Sequence, residues 1–416
     1  MARTTDPVKS FLAIWAVTAL LCEISAGGSP ATAASPNIRF HQGTSAREIP
    51  FSYEQMHIIV TVKVADALEI PMLLDTGFGF DGAILLDPAI GDKIGLEYVS
   101  EVPLGGGGGE RPMTAKVAVG ADLSLPGVTF SQQKLLVVAD AALYANYPAR
   151  GIIGKTVFDC AVEIDYDESV LHLYDSAVYE YDGSAETFDF GFSYGIPVID
   201  AALSIDAGED VPVKMLVDTG AGQLLLFTFS SQALHEPQKV IEGSMKLLSK
   251  GFTGTVRGST GRITQLRVGK HTLEGVITSF PDGESWGKAG VLGQNGMIGN
   301  DVLRRFFVVF DYPRQRIRLE PGRHFEDPFD WDMAGLVTEH TRKGTVEVLD
   351  VIVGSPAMEN DIRPGDTIVA VDGRPIKGLT DSEIWNVFTR DGARLKVTID
   401  RSGENLEKIL MLRRMI

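Results

Sequence analysis

The chain has 416 residues, 44% of them hydrophobic and 22% charged, the balance of a soluble globular protein with room for two or three domains. Its formal charge of −17, without a long run of Lys and Arg, argues against nucleic acid or an anionic membrane as partner, because phosphate binding needs clustered cations. The 7 His are scattered, with no H-E-x-x-H or other paired spacing, so neither a catalytic metal nor a cofactor is expected.

Residues 1–34 read as an export signal. Arg3 and Lys9 precede the apolar run from Phe11 to Cys22, which is short for a membrane span, and Ala31-Thr32-Ala33 offers an A-x-A cleavage pattern. A periplasmic or secreted location follows. Leu21-Cys22 lacks the small residue that a lipoprotein signal places before its Cys, so a lipid anchor is not expected. With the signal removed, Cys160 is the remaining cysteine, no intramolecular disulfide is possible, and its neighbours Val157-Phe158 make it a buried small hydrophobe.

From residue 45 to 185 the pattern is one of short strands. Glu54 to Val64 and Glu69 to Leu74 form an expected hairpin that delivers Asp75, and Lys116 to Leu123 and Lys134 to Val138 continue the sheet. Between them lies the run Gly105, Gly106, Gly107, Gly108, Gly109, which on composition alone is a flexible loop.

Residues 186–320 repeat this plan. Met72-Leu73-Leu74-Asp75-Thr76-Gly77 returns as Met215-Leu216-Val217-Asp218-Thr219-Gly220-Ala221. Ile152-Ile153-Gly154 and Met297-Ile298-Gly299 each lie about 80 residues after their acid. Ile164-Asp165-Tyr166 with Leu173 is answered by Phe310-Asp311-Tyr312 with Leu319, at equal spacing. Ile49-Pro50-Phe51 and Ile196-Pro197-Val198 are taken as a fourth matched pair, each opening a run towards its acid. Markers recurring in one order define two copies of one lobe. An acid that ends a buried strand carries a desolvation cost, so two at matched positions suggest a working pair.

An apolar pair before Asp-Thr-Gly, followed about 80 residues later by apolar-apolar-Gly, resembles the motif pair of retropepsin-like aspartic proteases, here twice in one chain over residues 45 to 320. The resemblance implies β-barrel lobes forming an intramolecular pseudo-dimer, with Asp75 and Asp218 as catalytic acids facing each other. Thr76, Gly77, Thr219 and Gly220 would brace the two acid loops, and Gly154 and Gly299 would let the returning strands pack behind them. The family carries flaps near the positions of Gly105 to Gly109 and of Gly251, Gly254 and Gly258, so these become flap candidates. One residue departs from the pattern: Phe78 stands where a small residue is usual after the first Asp-Thr-Gly, whereas Ala221 follows the second. Gly191-Phe192-Ser193-Tyr194-Gly195 matches a nucleophile elbow, but Ile196-Pro197-Val198 continues as a strand where the elbow requires a helix.

Residues 321–331 read as a linker, and 332–416 resemble a bacterial PDZ domain through Ser355-Pro356-Ala357 and the run from Arg363-Pro364-Gly365-Asp366 to Val371-Asp372-Gly373. That resemblance implies a strand-adding peptide site whose carboxylate loop contains Ala334, Gly335 and Leu336, with a specificity-tuning helix near Thr380 to Ile384. The chain thus reads as an exported, mainly β aspartic endopeptidase with a PDZ domain for substrate or partner C-termini. It needs no second copy to complete its acid pair. The reading from another class is a non-catalytic peptide-binding adaptor with degenerate protease lobes, and Phe78 is the feature that favours it.

Overall fold

A computed structural model describes residues 37–416 except 109–112, 141–143, 145–146, 206–209, 228–244, 283–292, 342–343 and 380. The expected export signal, Gly109 and Thr380 lie outside the described residues. The described chain is mainly β and divides into two compact units between Phe329 and Asp330.

Each half of the larger unit closes a six-stranded ring. In the first half, strands His57–Val64, Leu68–Leu74, Gly151–Ile153, Gly82–Leu85, Val128–Val138 and Met113–Leu125 pair in that order, and the last pairs back onto the first. In the second, Ile196–Ser204, Val211–Val217, Gly296–Ile298, Leu224–Leu226, His271–Pro281 and Gly254–Val268 do the same. The apolar triplets before the two acids occupy equivalent ladders. Leu73 pairs in parallel with Ile152, and Leu216 with Met297. All four are buried, as fits strands covered on both faces.

The two halves meet in an antiparallel sheet. Ala161–Asp165 pairs with Phe306–Asp311 at its centre, flanked by Val170–Tyr174 and Ser45–Glu54 on one side and by Arg316–Pro321 and Glu186–Asp189 on the other. Val162 faces Phe310 and Ile164 faces Val308, a pairing that maps onto itself when the halves are exchanged. The repeated Ile-Asp-Tyr and Phe-Asp-Tyr stretches are therefore the seam between the lobes.

One repeat marker was a coincidence. Ile196-Pro197-Val198 opens a strand equivalent to His57–Val64, whereas Ile49-Pro50-Phe51 lies in the preceding strand, Ser45–Glu54. The ladders settle this, because Ile59 lies opposite Leu73 as Val198 lies opposite Leu216. The Gly-x-Ser-x-Gly stretch is a hairpin, Gly191–Ser193 turning into the strand Ile196–Ser204, and not a nucleophile elbow.

The smaller unit has the strand order Leu336–His340, Val346–Val351, Thr367–Val371, Arg394–Arg401, Glu404–Met411, with Asp381–Phe388 as its longest helix. Its core gathers Val348, Ile368, Val397, Ile399 and Leu410, all buried. The Arg-Pro-Gly-Asp turn has a local cause: Asp366 accepts the Arg363 N–H at 2.8 Å and pairs with both ends of the Arg401 guanidinium at 2.7 and 2.8 Å. Ser355 Oγ caps the short helix Pro356–Glu359 by accepting from Met358 N, with Pro356 at the first turn.

The segment expected as a linker, 321–331, is largely packed. Arg305 is fully buried, and its guanidinium donates to the carbonyls of His324, Asp327 and Pro328 while stacking 3.5 Å above the Phe329 ring. A buried guanidinium requires such partners, so Gly322 to Phe329 completes the larger unit. A chain ending at Phe329 should fold alone, whereas one ending at Pro321 should lose about 3 kcal/mol or more, since Arg305 would lose the carbonyls of His324, Asp327 and Pro328 and the Phe329 ring that covers it. Chemical denaturation of the two truncations measures this; equal stabilities would contradict it.

Candidate active site

Asp75 and Asp218 stand at the ends of parallel-paired strands, and each loop repeats the other bond for bond. Asp75 N donates to Ile153 O at 2.9 Å, and Asp218 N donates to Ile298 O at 3.0 Å. Gly77 N donates to Asp75 Oδ1 and Gly220 N to Asp218 Oδ1, both at 2.7 Å. Phe78 N and Ala221 N close the turns onto the carbonyls of the two acids, both at 3.2 Å.

The threonines lock one loop to the other. Thr76 Oγ1 donates to Val217 O at 2.8 Å and accepts from Thr219 N at 2.9 Å. Reciprocally, Thr219 Oγ1 donates to Leu74 O at 2.8 Å and accepts from Thr76 N at 3.0 Å. A hydroxyl that gives and receives at once is needed here, because both neighbours are buried backbone groups.

Both glycines are fixed by the carboxylate of the opposite loop. A Cβ on Gly77 would lie 2.5 Å from Asp218 Oδ2, and one on Gly220 would collide with the Asp75 carboxyl. The acids therefore cross, each lying over the other's glycine. Gly154 is forced in the same way, since a Cβ there would strike Asp75 O and Phe78 O; Gly299 backs onto Ala221 O and Gln223 O.

Asp75 is 2% exposed and Asp218 is fully buried. Burial first, then the Asp218 charge and the hydrogen bond between the carboxyls, holds Asp75 well above the usual carboxylate range against the N–H groups of Gly77 and Phe78. Burial pushes Asp218 up to about 6 against the hydrogen bond from Asp75 and the N–H groups of Gly220, Gly77 and Ala221. Two acids buried side by side in this way favour the state in which one proton is shared, and they titrate as a pair.

Gly105 to Gly108 follow the strand Tyr98–Leu104, whose hairpin partner is Met113–Leu125. Gly251 and Gly254 bracket the tip between Met245–Gly251 and Gly254–Val268. These two tips touch. Thr253 N donates to Gly107 O at 2.9 Å, and Thr253 Oγ1 reaches Gly106 O and Gly107 O at 3.0 and 3.1 Å. A Cβ on Gly108 would run into Gly254, and one on Gly251 into Gly107, so these two positions admit no side chain. Gly258 is not at the tip; it pairs with Pro281 inside the second barrel.

Phe78 neither projects into open space nor disturbs the loop. Its ring is buried beside Phe80, with centroids 5.8 Å apart. Several residues near the acids escaped notice in the sequence. His57 Nε2 lies 3.1 Å from Gly220 O across the lobes. Asn300, next to Gly299, donates to Thr219 O at 2.6 Å and Met56 O at 2.8 Å and accepts from Tyr166 at 2.7 Å. Tyr147 and Tyr312 are buried, and burial together with the charges of both acids raises their phenols well above the ordinary value. Asn300, Tyr166 and Tyr312 were reachable, since each adjoins or belongs to a doubled marker; Tyr147 and His57 have no repeat partner.

An open concavity of about 880 Å³ lies elsewhere, against the interlobe sheet, lined by Glu163, Tyr174, Tyr179, Tyr181 and Glu320. Among the described residues no three His, Cys, Asp or Glu side chains converge as a metal site.

Residues 202–301 match the family model for an aspartyl protease, and residues 334–410 match that for a PDZ domain. The chain therefore carries an aspartyl protease-like unit followed by a PDZ domain. Among solved structures, the aspartic proteinase from Irpex lacteus matches at 15% identity and a TM-score of 0.44, over 68% of this chain and 99% of that one. No curated protein matches the chain.

Replacing Thr76 or Thr219 by Val keeps the shape but strands two buried backbone groups on the opposite loop, Val217 O and Thr219 N or Leu74 O and Thr76 N. Each change should cost about 2–4 kcal/mol, at about 1–3 kcal/mol for each buried group left unpaired. Equilibrium unfolding measures it, and a loss under about 0.5 kcal/mol would show that the cross-brace is not structural.

Proposed function

We propose that the larger unit is an aspartic endopeptidase with Asp75 and Asp218 as its catalytic pair. The observation that carries this reading is the symmetric burial of the two carboxyls, each crossed over the other loop's glycine. The ionised carboxylate takes a proton from a water, which attacks the scissile carbonyl, while the protonated partner hydrogen-bonds the carbonyl oxygen.

Because both acids are buried, a peptide enters only when the tips at Gly107 and Thr253 part, and their small cross-tip bonds suit such an opening. One chain supplies both acids, so activity requires no second copy. The PDZ unit presents the unpaired outer edge of Leu336–His340 for strand addition, which fits capture of a peptide from substrate or partner. The reading of 1–34 as an export signal places this activity outside the cytoplasm.

Asp75→Asn and Asp218→Asn should each remove peptidase activity by a factor of at least about 10³ while leaving the fold intact, measured on a mixed peptide library. Full activity in either variant would refute the pair. The pH dependence follows from the raised carboxyls. Below about 6 the pair takes up its second proton and the base is lost; at higher pH the shared proton leaves and the donor is lost. The rate profile should be a bell whose acidic limb lies near pH 6, and an optimum below about pH 4, the ordinary carboxyl range, would contradict the geometry.

A further inference from the structure

The loop that opens the PDZ unit is already filled. Asp332 Oδ1 accepts the Leu336 N–H at 2.9 Å, and the N–H groups of Gly335 and Ala334 also turn towards its carboxyl. Three successive N–H groups aimed at one point form an anion-binding nest. Its backbone is fixed: Gly335 has φ +74°, and a Cβ there would strike Ser355. The carbonyls on either side are occupied, Ala334 O by Ala357 N and Gly335 O by Ile352 N, both at 2.9 Å. These are the N–H groups that a strand-adding peptide would need for its terminal carboxylate.

We propose that Asp332 is a built-in competitor for this nest, so that the PDZ unit excludes a free peptide C-terminus while Asp332 is ionised and admits one when Asp332 is protonated or replaced. Two anions cannot share three N–H donors, and an ionised Asp332 would repel an incoming carboxylate at contact distance. The inference rests on the peptide-binding reading of this unit. Burial pushes the Asp332 carboxyl up to about 7 against the three N–H groups, so the change of state falls near neutrality.

Charged groups on the surrounding elements are engaged elsewhere. Asp330 faces Arg414 at 3.5 Å, Arg414 also lies 3.9 Å from Asp391, and Arg413 pairs with Glu359 at 2.7 Å. Glu383 on the long helix has interactions of its own. None of these enters among the causes that act on Asp332.

The test uses the full chain carrying Asp75→Asn, so that peptides survive, and a mixed library of short peptides with free C-termini beside the same library amidated. Affinity for the free carboxylates should be roughly tenfold tighter at pH 6 than at pH 8, because the competent fraction changes by that factor around a midpoint near 7. Asp332→Ala should bind at pH 8 as tightly as the parent does at pH 6, and Asp332→Asn, which keeps the side-chain shape, should lose the pH step. Amidated peptides should show no step in any form. Equal affinities and equal pH profiles in parent and Asp332→Ala would overturn the proposal. Capture of no peptide by any form would overturn it as well, and amide NMR then separates the causes. If the N–H signals of Ala334, Gly335 and Leu336 titrate with Asp332, the peptide-binding reading has failed; if they do not, the carboxylate is not in the nest.

Discussion

The larger unit depends on a reciprocal exchange of hydrogen bonds between two threonines. Thr76 and Thr219 each donate to the strand before the other acid and each accept the other's N–H, so neither loop is satisfied unless both halves are present. Everything nearby follows from the closeness this imposes. The acids must cross, their neighbours must be glycines, and the carboxyls must lose their water. The cost of burying them is met by two barrels and an interlobe sheet that leave the loops no alternative position.

Much of this was legible because duplication writes the same constraint twice. Leu-Leu-Asp-Thr-Gly and Leu-Val-Asp-Thr-Gly return with their apolar-apolar-Gly partners because one parallel ladder is needed behind each acid, and the tyrosine-bearing seam returns because the interlobe sheet is symmetric. The repetition misled where a short text recurred without a shared ladder, as with the two Ile-Pro pairs. Asymmetric contacts left no trace: His57 reaches Gly220 O from a position where the other lobe has Ile196, and Asn300 bridges lobes where the first lobe has Lys155, which pairs with Asp81 and Asp159.

The boundary between units illustrates a different limit. Pro321 to Trp331, with its mixture of Pro, Gly and charge, has the composition of a linker. Composition records what a segment avoids, not what a distant residue asks of it. Arg305, far back in the chain, is buried, and it takes the carbonyl oxygens of His324, Asp327 and Pro328 from this segment. Backbone acceptors carry no sequence signature, so the packing could not be read from the residues that supply them.

The same reasoning applies to the carboxylates. Asp75, Asp218 and Asp332 each accept backbone N–H groups, an arrangement that by itself favours the charged form, and all three are nevertheless raised because burial outweighs the donors. Asp361 shows the opposite balance: exposed and paired with Arg363 and Arg401, it falls to about 2. N–H donors position a carboxylate, and the balance of burial against charged partners decides its charge: Asp366 is buried yet held below the usual carboxylate range by Arg401. In this chain Asp218 and Asp332, on separate units, are both raised by burial, to about 6 and about 7, although backbone N–H groups hold each of them.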